Sequence, residues 1–546
     1  MESVLCYDLE TLDEMFLCVV YVPGEHFRRW EISKWKNDIY SFVKFAQEHT
    51  PFYWIGYNNL RFDSQVVEWI LRHYEEWFDK TGLEIAAMIA QKAQDVIDDS
   101  NYDVFPEYRE EQLTLKQLDP FRINHFDNKN RRISLKRLEF EMDMEDIEEM
   151  PIPFNKKNLT REECVKIIEY CIKDVKATYR VYLITIGETD NTLYKENNQV
   201  ETRQSIEDEY GIKCLNFSNA KIGDEIIKKF YCEEKGISYS ELPRKGTFRK
   251  EIFLKNCIPP YVNFQTRQLQ DFLKRIKKIK LTQKQDFVES IKFADQTYTF
   301  AKGGLHNVIN GKIYELTDFY DIIDVDVSGY YPATIINNSY YPSHLGKAFL
   351  PGYKKIYFKR IALKPFSKKD KKIKGIVAGL KEAGNCPYGK SSDMSSWLYD
   401  KQMTLATCIT GELSLLMFIE DCELEGISCI MANTDGATFI VPKGKKARFD
   451  EIKAAWLVET TRELTYELEE AYFKKLVFSS VNDYIGIKVG YEEAPEDKKS
   501  DYIKLKGDFM KDFELHKNKS ARIVPIALYE YYVHNIPLEA TIKNHR

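Results

Sequence analysis

The sequence lacks long apolar runs, clustered cysteines and low-complexity tracts, and each lack removes a class of protein. Apolar stretches such as Leu17 to Val22 fall far short of the ~20 residues that cross a bilayer, and Met1 is followed by no charged-then-apolar leader. Transmembrane and secreted readings are therefore set aside, and no membrane partner is expected. The cysteines include no C-x-x-C pair, and near neighbours such as Cys164 and Cys171 lie seven apart, so neither a zinc site nor a disulfide framework is indicated. A reducing, cytoplasmic setting fits. No internal repeat is visible.

What is present is ample material for folding. A chain of 546 residues accommodates three or four cores at ~100–200 residues each. Its 14% aromatic content is foreign to disordered chains. The net charge of −6 hides strong local bias. Lys354 to Lys374 holds ten bases and one acid, Lys274 to Lys284 six bases and no acid, and Glu139 to Glu149 seven acids and no base. Basic faces on an acidic chain suit a polyanion partner that net charge alone does not suggest.

Strand-like runs at Val4 to Tyr7 and Phe16 to Val22, alternating with helical patterns up to about residue 186, predict an α/β layer. The firmest helix spans Thr160 to Leu183, where Thr160 and Glu163 supply start signals and Val165, Ile168, Ile172 and Val175 recur at helical spacing. Gly187 to Asn198 is polar and reads as a boundary, and Glu241 to Gly246 as a second linker. From Asp321 the pattern becomes a strand (Ile322 to Val327), a basic stretch, a helix around Lys381 to Gly389, a long helix from about Met403 to Gly426, and a hairpin. Its strands, Ser428 to Met431 and Ala437 to Val441, flank the turn Asn433-Thr434-Asp435-Gly436.

Asp8-Leu9-Glu10 places two carboxylates at i and i+2 at a predicted strand end, so both project from one face. Adjacent acids repel, and a hard cation such as Mg²⁺ or Mn²⁺ relieves them. Asp63 leads an amphipathic helix, and Asp174 follows Tyr170 by four residues on the firm helix, so those two share a face. Two ions held by these four acids suit phosphodiester hydrolysis, with the Tyr170 hydroxyl orienting water.

Asp8-x-Glu10, Asn59-x-x-Phe62-Asp63 and Tyr170-x-x-x-Asp174, in that order, resemble the three exonuclease motifs of family B DNA polymerases. Polymerase-like motifs follow. Asp326-Val-Ser-Gly-Tyr-Tyr331-Pro332 resembles the first, with Gly329 for the usual Ser and Tyr330 for Leu; Asp324, two residues earlier on the same face, competes as a ligand. Lys381-Glu-Ala-Gly-Asn385-Cys-Pro-Tyr388-Gly389 resembles the second, with Cys386 for Ser and Pro387 expected to kink the helix. Asn433-Thr434-Asp435-Gly436 resembles the third, usually Asp-Thr-Asp-Ser, with Asn433 replacing its first acid. Ala301-Lys-Gly303-Gly304 stands where the family has a Tyr-x-Gly-Gly loop, and Lys504-Leu-Lys506-Gly507 looks like a contact to duplex backbone.

The resemblance implies an α/β and α+β multidomain protein of phage or viral type: a ribonuclease-H-like 3′–5′ exonuclease domain over 1–190, a connecting region over 191–300, palm over 301–353 and 391–480, fingers over 354–390 and thumb over 481–546. It implies template-directed extension of a primer 3′-hydroxyl with proofreading, in a host cytoplasm. Two Mg²⁺ or Mn²⁺ ions per site would be held by Asp326 and Asp435, and by Asp8, Glu10, Asp63 and Asp174. Tyr331, Lys381, Asn385, Tyr388 and Lys374 would bind the incoming nucleotide, Tyr331 as a gate against the 2′-hydroxyl. Asn59, Phe62, Lys504, Lys506, Gly303 and Gly304 would contact DNA. The implied partners are primer-template DNA, dNTPs, single-stranded 3′ ends and other replication proteins. Family members that start on a protein primer carry long insertions between the polymerase motifs, and the intervals 333–380 and 390–432 leave no room for one. Two rivals stand beside this reading: an exonuclease whose impaired palm is a DNA-binding platform, and a non-enzymatic replication scaffold.

Overall fold

The computed structural model describes residues 3–102, 104–128, 130–188, 198–510 and 522–545. They form two compact units, one reaching Lys221 and the other starting at Ile222. Both mix helix and sheet. Most of the polar boundary Gly187 to Asn198 lies outside the described residues.

The first unit is built on a five-stranded sheet: β1 (Val4–Leu12), β2 (Met15–Tyr21), β3 (Arg28–Ser33), β4 (Tyr53–Ile55) and β5 (Lys116–Leu118), in the order β3-β2-β1-β4-β5. β1 pairs antiparallel with β2 and parallel with β4. Strand pleat sends alternate side chains to opposite faces. Leu5, Tyr7 and Leu9 join a core with Phe42, Val66 and Ile85, whereas Cys6 and Leu12 join Ile167, Cys171 and Val175 from the helix Arg161–Thr185. Asp8 and Glu10 share the parity of Cys6 and Leu12. β1 runs five residues beyond the predicted Tyr7 because β2 pairs it from Cys6↔Tyr21 to Leu12↔Met15, so the two acids lie inside the strand, not at its end. β4 pairs only with Val4 to Cys6, and the edge of β1 beyond is left open on that side.

Residues 199–221 stay with this unit and do not begin a connecting region. Arg203, on the helix Gln199–Tyr210, is fully buried and donates to the Phe217 carbonyl (2.8 Å), the Ile123 carbonyl (3.0 Å) and the Gln199 carbonyl (2.9 Å). A guanidinium saturated by carbonyls fixes the helix to the segment before it and the loop after it.

The second unit carries β6 (Ile252–Phe253) and β7 (Lys280–Leu281) as a small pair, then a ten-stranded antiparallel sheet. Its strands are β8 (Val288–Phe293), β9 (Gln296–Ala301), β10 (His306–Asn307), β11 (Lys312–Glu315), β12 (Tyr320–Ser328), β13 (Ser428–Asn433), β14 (Gly436–Pro442), β15 (Glu467–Ser480), β16 (Asp483–Lys488) and β17 (Ile503–Lys506). The order is β17-β16-β15-β12-β14-β13-β10-β9-β8, with β11 on β15. The sheet therefore continues beyond residue 480 into the stretch assigned to a thumb. The basic run forms a helical hairpin, Phe349–Leu363 and Lys371–Lys390; the second helix starts ten residues before Lys381 because the Asp370 side chain caps it through the Ile373 amide. The helix Lys401–Leu424 is long and apolar enough to cross a membrane, yet 94% of its most apolar window is buried inside the protein, where Gly411 lets the Tyr330 ring approach.

Replacing Arg203 with Met leaves three buried carbonyls without a donor. The chain should lose about 3 kcal/mol of unfolding free energy, read by urea denaturation; an unchanged midpoint would contradict the structural role given to this residue.

Candidate active sites

In the first unit, Asp8, Glu10, Asp63, Tyr170 and Asp174 come together on one side of β1. Ligand atoms of Asp8, Glu10 and Cys171 lie within 4.8 Å of one another, and the Cys171 thiol donates to Asp8 at 3.5 Å. Asp63 opens the helix Asp63–His73 and accepts the Leu9 amide, which the open edge of β1 leaves without a strand partner. Tyr170 donates its hydroxyl to Asp174 one turn away. All four acids are pushed above the ordinary carboxylate range, first by burial and then, for Asp8 and Glu10, by the repulsion of their neighbours; Asp63 reaches about 7. Such oxygen-rich, mutually repelling donors fit Mg²⁺ or Mn²⁺.

The sequence reading missed Lys136, because a lone lysine one turn before Glu139 carries no signal. Its Nζ bonds Asp174 at 2.5 Å and Glu139 at 3.0 Å and lies 4.3 Å over the Tyr170 ring, so it offsets part of the acidic charge. Beside Glu10 opens a cavity of about 760 Å³ lined by Asn58, Arg61, Phe62, Gln94 and Phe154. Phe62 thus takes the place expected of it. Asn59 does not. It is fully buried, donating to the Trp54 carbonyl and to Gln117, so it is scaffold and contacts no DNA in this structure; its neighbour Asn58, at φ +61°, faces the cavity.

In the second unit, β12 pairs with β14 so that Asp326 stands opposite Gly436, and the Val327 amide donates to the Asp435 carbonyl at 2.8 Å. The two expected acids are therefore neighbours. Asp435 is raised by burial and by Asp326, with Lys506 opposing. A Cβ at position 436 would meet Asp326 Oδ1 at 2.0 Å, which explains glycine where the family motif has serine. Asn433 donates to the Val481 carbonyl and to Asn482, each at 3.2 Å. An aspartate has no proton to give those oxygens. Gly329 adopts φ +65° as it enters the helix Tyr330–Asn337, a conformation unfavourable for the usual serine.

Asp324 is buried, accepting from the Thr438 hydroxyl (2.6 Å) and from Lys504 (2.8 Å), whereas Asp326 is the more open of the two. Lys504 also bonds Asp326, at 3.0 Å. It is thus tied up by carboxylates, not presented to a DNA backbone as expected; Lys506 is exposed. The glycine pair also differs from its expected role. Gly304, at φ +104°, packs against Thr434, the Gly303 carbonyl accepts the Thr434 hydroxyl at 2.9 Å, and the Leu305 carbonyl accepts the Thr434 amide, so the pair braces the hairpin turn.

Tyr331 and Tyr388 stack at 4.1 Å, while Tyr330 is a core residue bonded to the Gly411 carbonyl. Lys374, Lys381 and Asn385 are exposed on the helix Lys371–Lys390. That helix runs through Pro387 to Lys390 and does not end there.

No protein-family model and no curated protein matches this chain. Among solved structures, a family B DNA polymerase from the hyperthermophilic archaeon Pyrobaculum calidifontis is similar at 14% identity and a TM-score of 0.48, over all of this chain and 64% of that one.

The raised acids set a pH dependence. Asp63 and the buried Asp119, both near 7, bind protons in the folded state that the unfolded chain releases near pH 4. Stability without divalent ions should therefore fall as pH rises from about 4 to about 7. At neutral pH, Asp8→Asn should raise it by about 1 kcal/mol by removing repulsion, while Mn²⁺ should stabilise the unaltered chain more than the variant. Equal thermal shifts with Mn²⁺ in both proteins would contradict a cation site there.

Proposed function

We propose that this chain is a DNA-directed DNA polymerase of the family B type that extends a primer 3′-hydroxyl and proofreads with a 3′–5′ exonuclease. The observation that carries the proposal is the neighbouring placement of Asp326 and Asp435 on paired strands, from segments a hundred residues apart in sequence. The first unit is then a ribonuclease-H-like exonuclease, the ten-stranded sheet a palm, and the helical hairpin Phe349–Lys390 its fingers. The eleven free thiols suit a reducing cytoplasm.

Asp326 and Asp435 in one unit, and Asp8, Glu10, Asp63 and Asp174 in the other, would hold Mg²⁺ or Mn²⁺, which supplies charge neutralisation at attacking and leaving oxygens in phosphoryl transfer. The remaining work falls to the chain. Lys374, Lys381 and Asn385 offer cations and an amide to a triphosphate. Tyr331, stacked on Tyr388, closes the space that a 2′-hydroxyl would need. Tyr170 and Lys136 orient the acids of the hydrolytic site and a water beside them. The intervals 333–380 and 390–432 hold only helices and β13, so an ordinary nucleic-acid primer is the proposed substrate.

The passive-palm rival drew on Gly329, Pro387 and Asn433. Each now has a local structural reason, so none of them argues for lost chemistry.

Asp435→Ala should abolish dNTP incorporation and leave hydrolysis of single-stranded 3′ ends, whereas Asp8→Ala should do the reverse, in gel assays of one labelled primer. Loss of both activities in either variant would contradict two separate sites. Tyr331→Val should admit ribonucleotides at least about tenfold more often, without improving dNTP use; unaltered sugar discrimination would mean that another residue forms the gate.

A further inference from the structure

The second unit holds a cavity of about 290 Å³ that none of the motifs explains. Its walls include Phe287, Tyr399, Met394 and Leu405, a flat-sided apolar lining. One polar group stands out. Gln283 lines the cavity, and its Nε2 is buried with no hydrogen-bond acceptor. The amide is not free to turn: the Tyr399 hydroxyl donates to its Oε1 at 2.5 Å, and the Lys401 ammonium holds its backbone carbonyl at 2.8 Å. A buried donor without a partner is destabilising, so a fixed one facing a cavity points to a ligand that brings an acceptor.

The rim narrows the choice. Lys284 and Lys302 are both exposed and both line the cavity, so a ligand with an apolar planar body would meet cations at the mouth. At its inner end, Cys408 lies 3.6 Å from the Tyr388 hydroxyl, and that hydroxyl donates to the Lys302 carbonyl. The cavity thus adjoins the tyrosine pair proposed to shape the nucleotide site, and lies beside the loop that braces Thr434.

We propose that this cavity receives one unpaired nucleobase of the template strand, the ring between Phe287, Tyr399 and Leu405, a base carbonyl or ring nitrogen on Gln283 Nε2, and the flanking phosphates at Lys284 and Lys302. A planar ring with in-plane acceptors and an anionic backbone meets all three demands. The proposal rests on the polymerase reading for the identity of the strand. It goes beyond it in assigning a base-binding site outside the polymerase motifs.

The test uses the full chain with primer-templates carrying 5-iododeoxyuridine at successive unpaired template positions, irradiated and mapped by peptide mass. The expected result is a crosslink confined to one or two adjacent positions, with the adduct on Phe287, Tyr399 or Met394. Gln283→Leu should lower its yield about fivefold through loss of one hydrogen bond, and Leu405→Trp, which fills the space, should lower it further. An even spread of crosslinks along the template, adducts elsewhere, yields unchanged in both variants, or equal labelling by free 5-iododeoxyuridine monophosphate would overturn it. Primer extension by the same samples reads the polymerase proposal independently: a chain that crosslinks through this cavity but extends nothing keeps the base site and loses the polymerase assignment, and one that extends without such a crosslink does the opposite.

Discussion

Carboxylates held close together by strand geometry are the constraint on which the rest of this structure depends. A strand that carries acids at i and i+2 on one face sets them side by side whatever else the chain does, and burial then raises the repulsion. In the first unit Asp8 and Glu10 impose this, and the helices bearing Asp63 and Asp174 add to it. In the second, Asp324 and Asp326 impose it, and the β13–β14 turn adds Asp435. Each cluster has recruited a lysine from a distant part of the sequence. Lys136 sits on Asp174, and Lys504 bridges Asp324 to Asp326. These lysines supply positive charge where acids crowd, and leave oxygens such as those of Asp8, Glu10 and Asp435 for another cation.

The backbone around the second cluster is shaped to the same end. Gly436 leaves room for the Asp326 carboxylate, Gly304 lets the loop after β9 close on Thr434, and Asn433 anchors the turn to the loop between β15 and β16. Each position departs from a simple strand or turn preference. Each is explained by what a larger or more acidic side chain would displace.

Much of this was legible in the sequence, and the boundary of legibility has a physical origin. Local signals carried far: the capping box of Thr160 and Glu163 fixed the start of the helix Arg161–Thr185, and the Asn/Asp/Gly turn fixed the β13–β14 hairpin. The acids were found because their spacing is periodic. What was lost depends on pairing between distant segments. β1 reaches Leu12 only because β2 pairs with it, and β16 and β17 belong to the large sheet only because β15 offers an edge. Asn59 looked like a ligand because its neighbours are polar, yet Trp54 and Gln117 bury it. Lys504 looked like a free cation on a glycine-containing loop, and nothing within ten residues of it announces Asp324.

The central claim is that one chain carries both a strand-extending and a strand-shortening carboxylate site. Its most direct test is the purified chain with a 5′-labelled primer annealed to a longer template and Mg²⁺, with and without the four dNTPs. The account predicts a primer that lengthens to the template end when dNTPs are present and shortens from its 3′ end when they are withheld. A primer that shortens under both conditions, or stays unchanged under both, would contradict it.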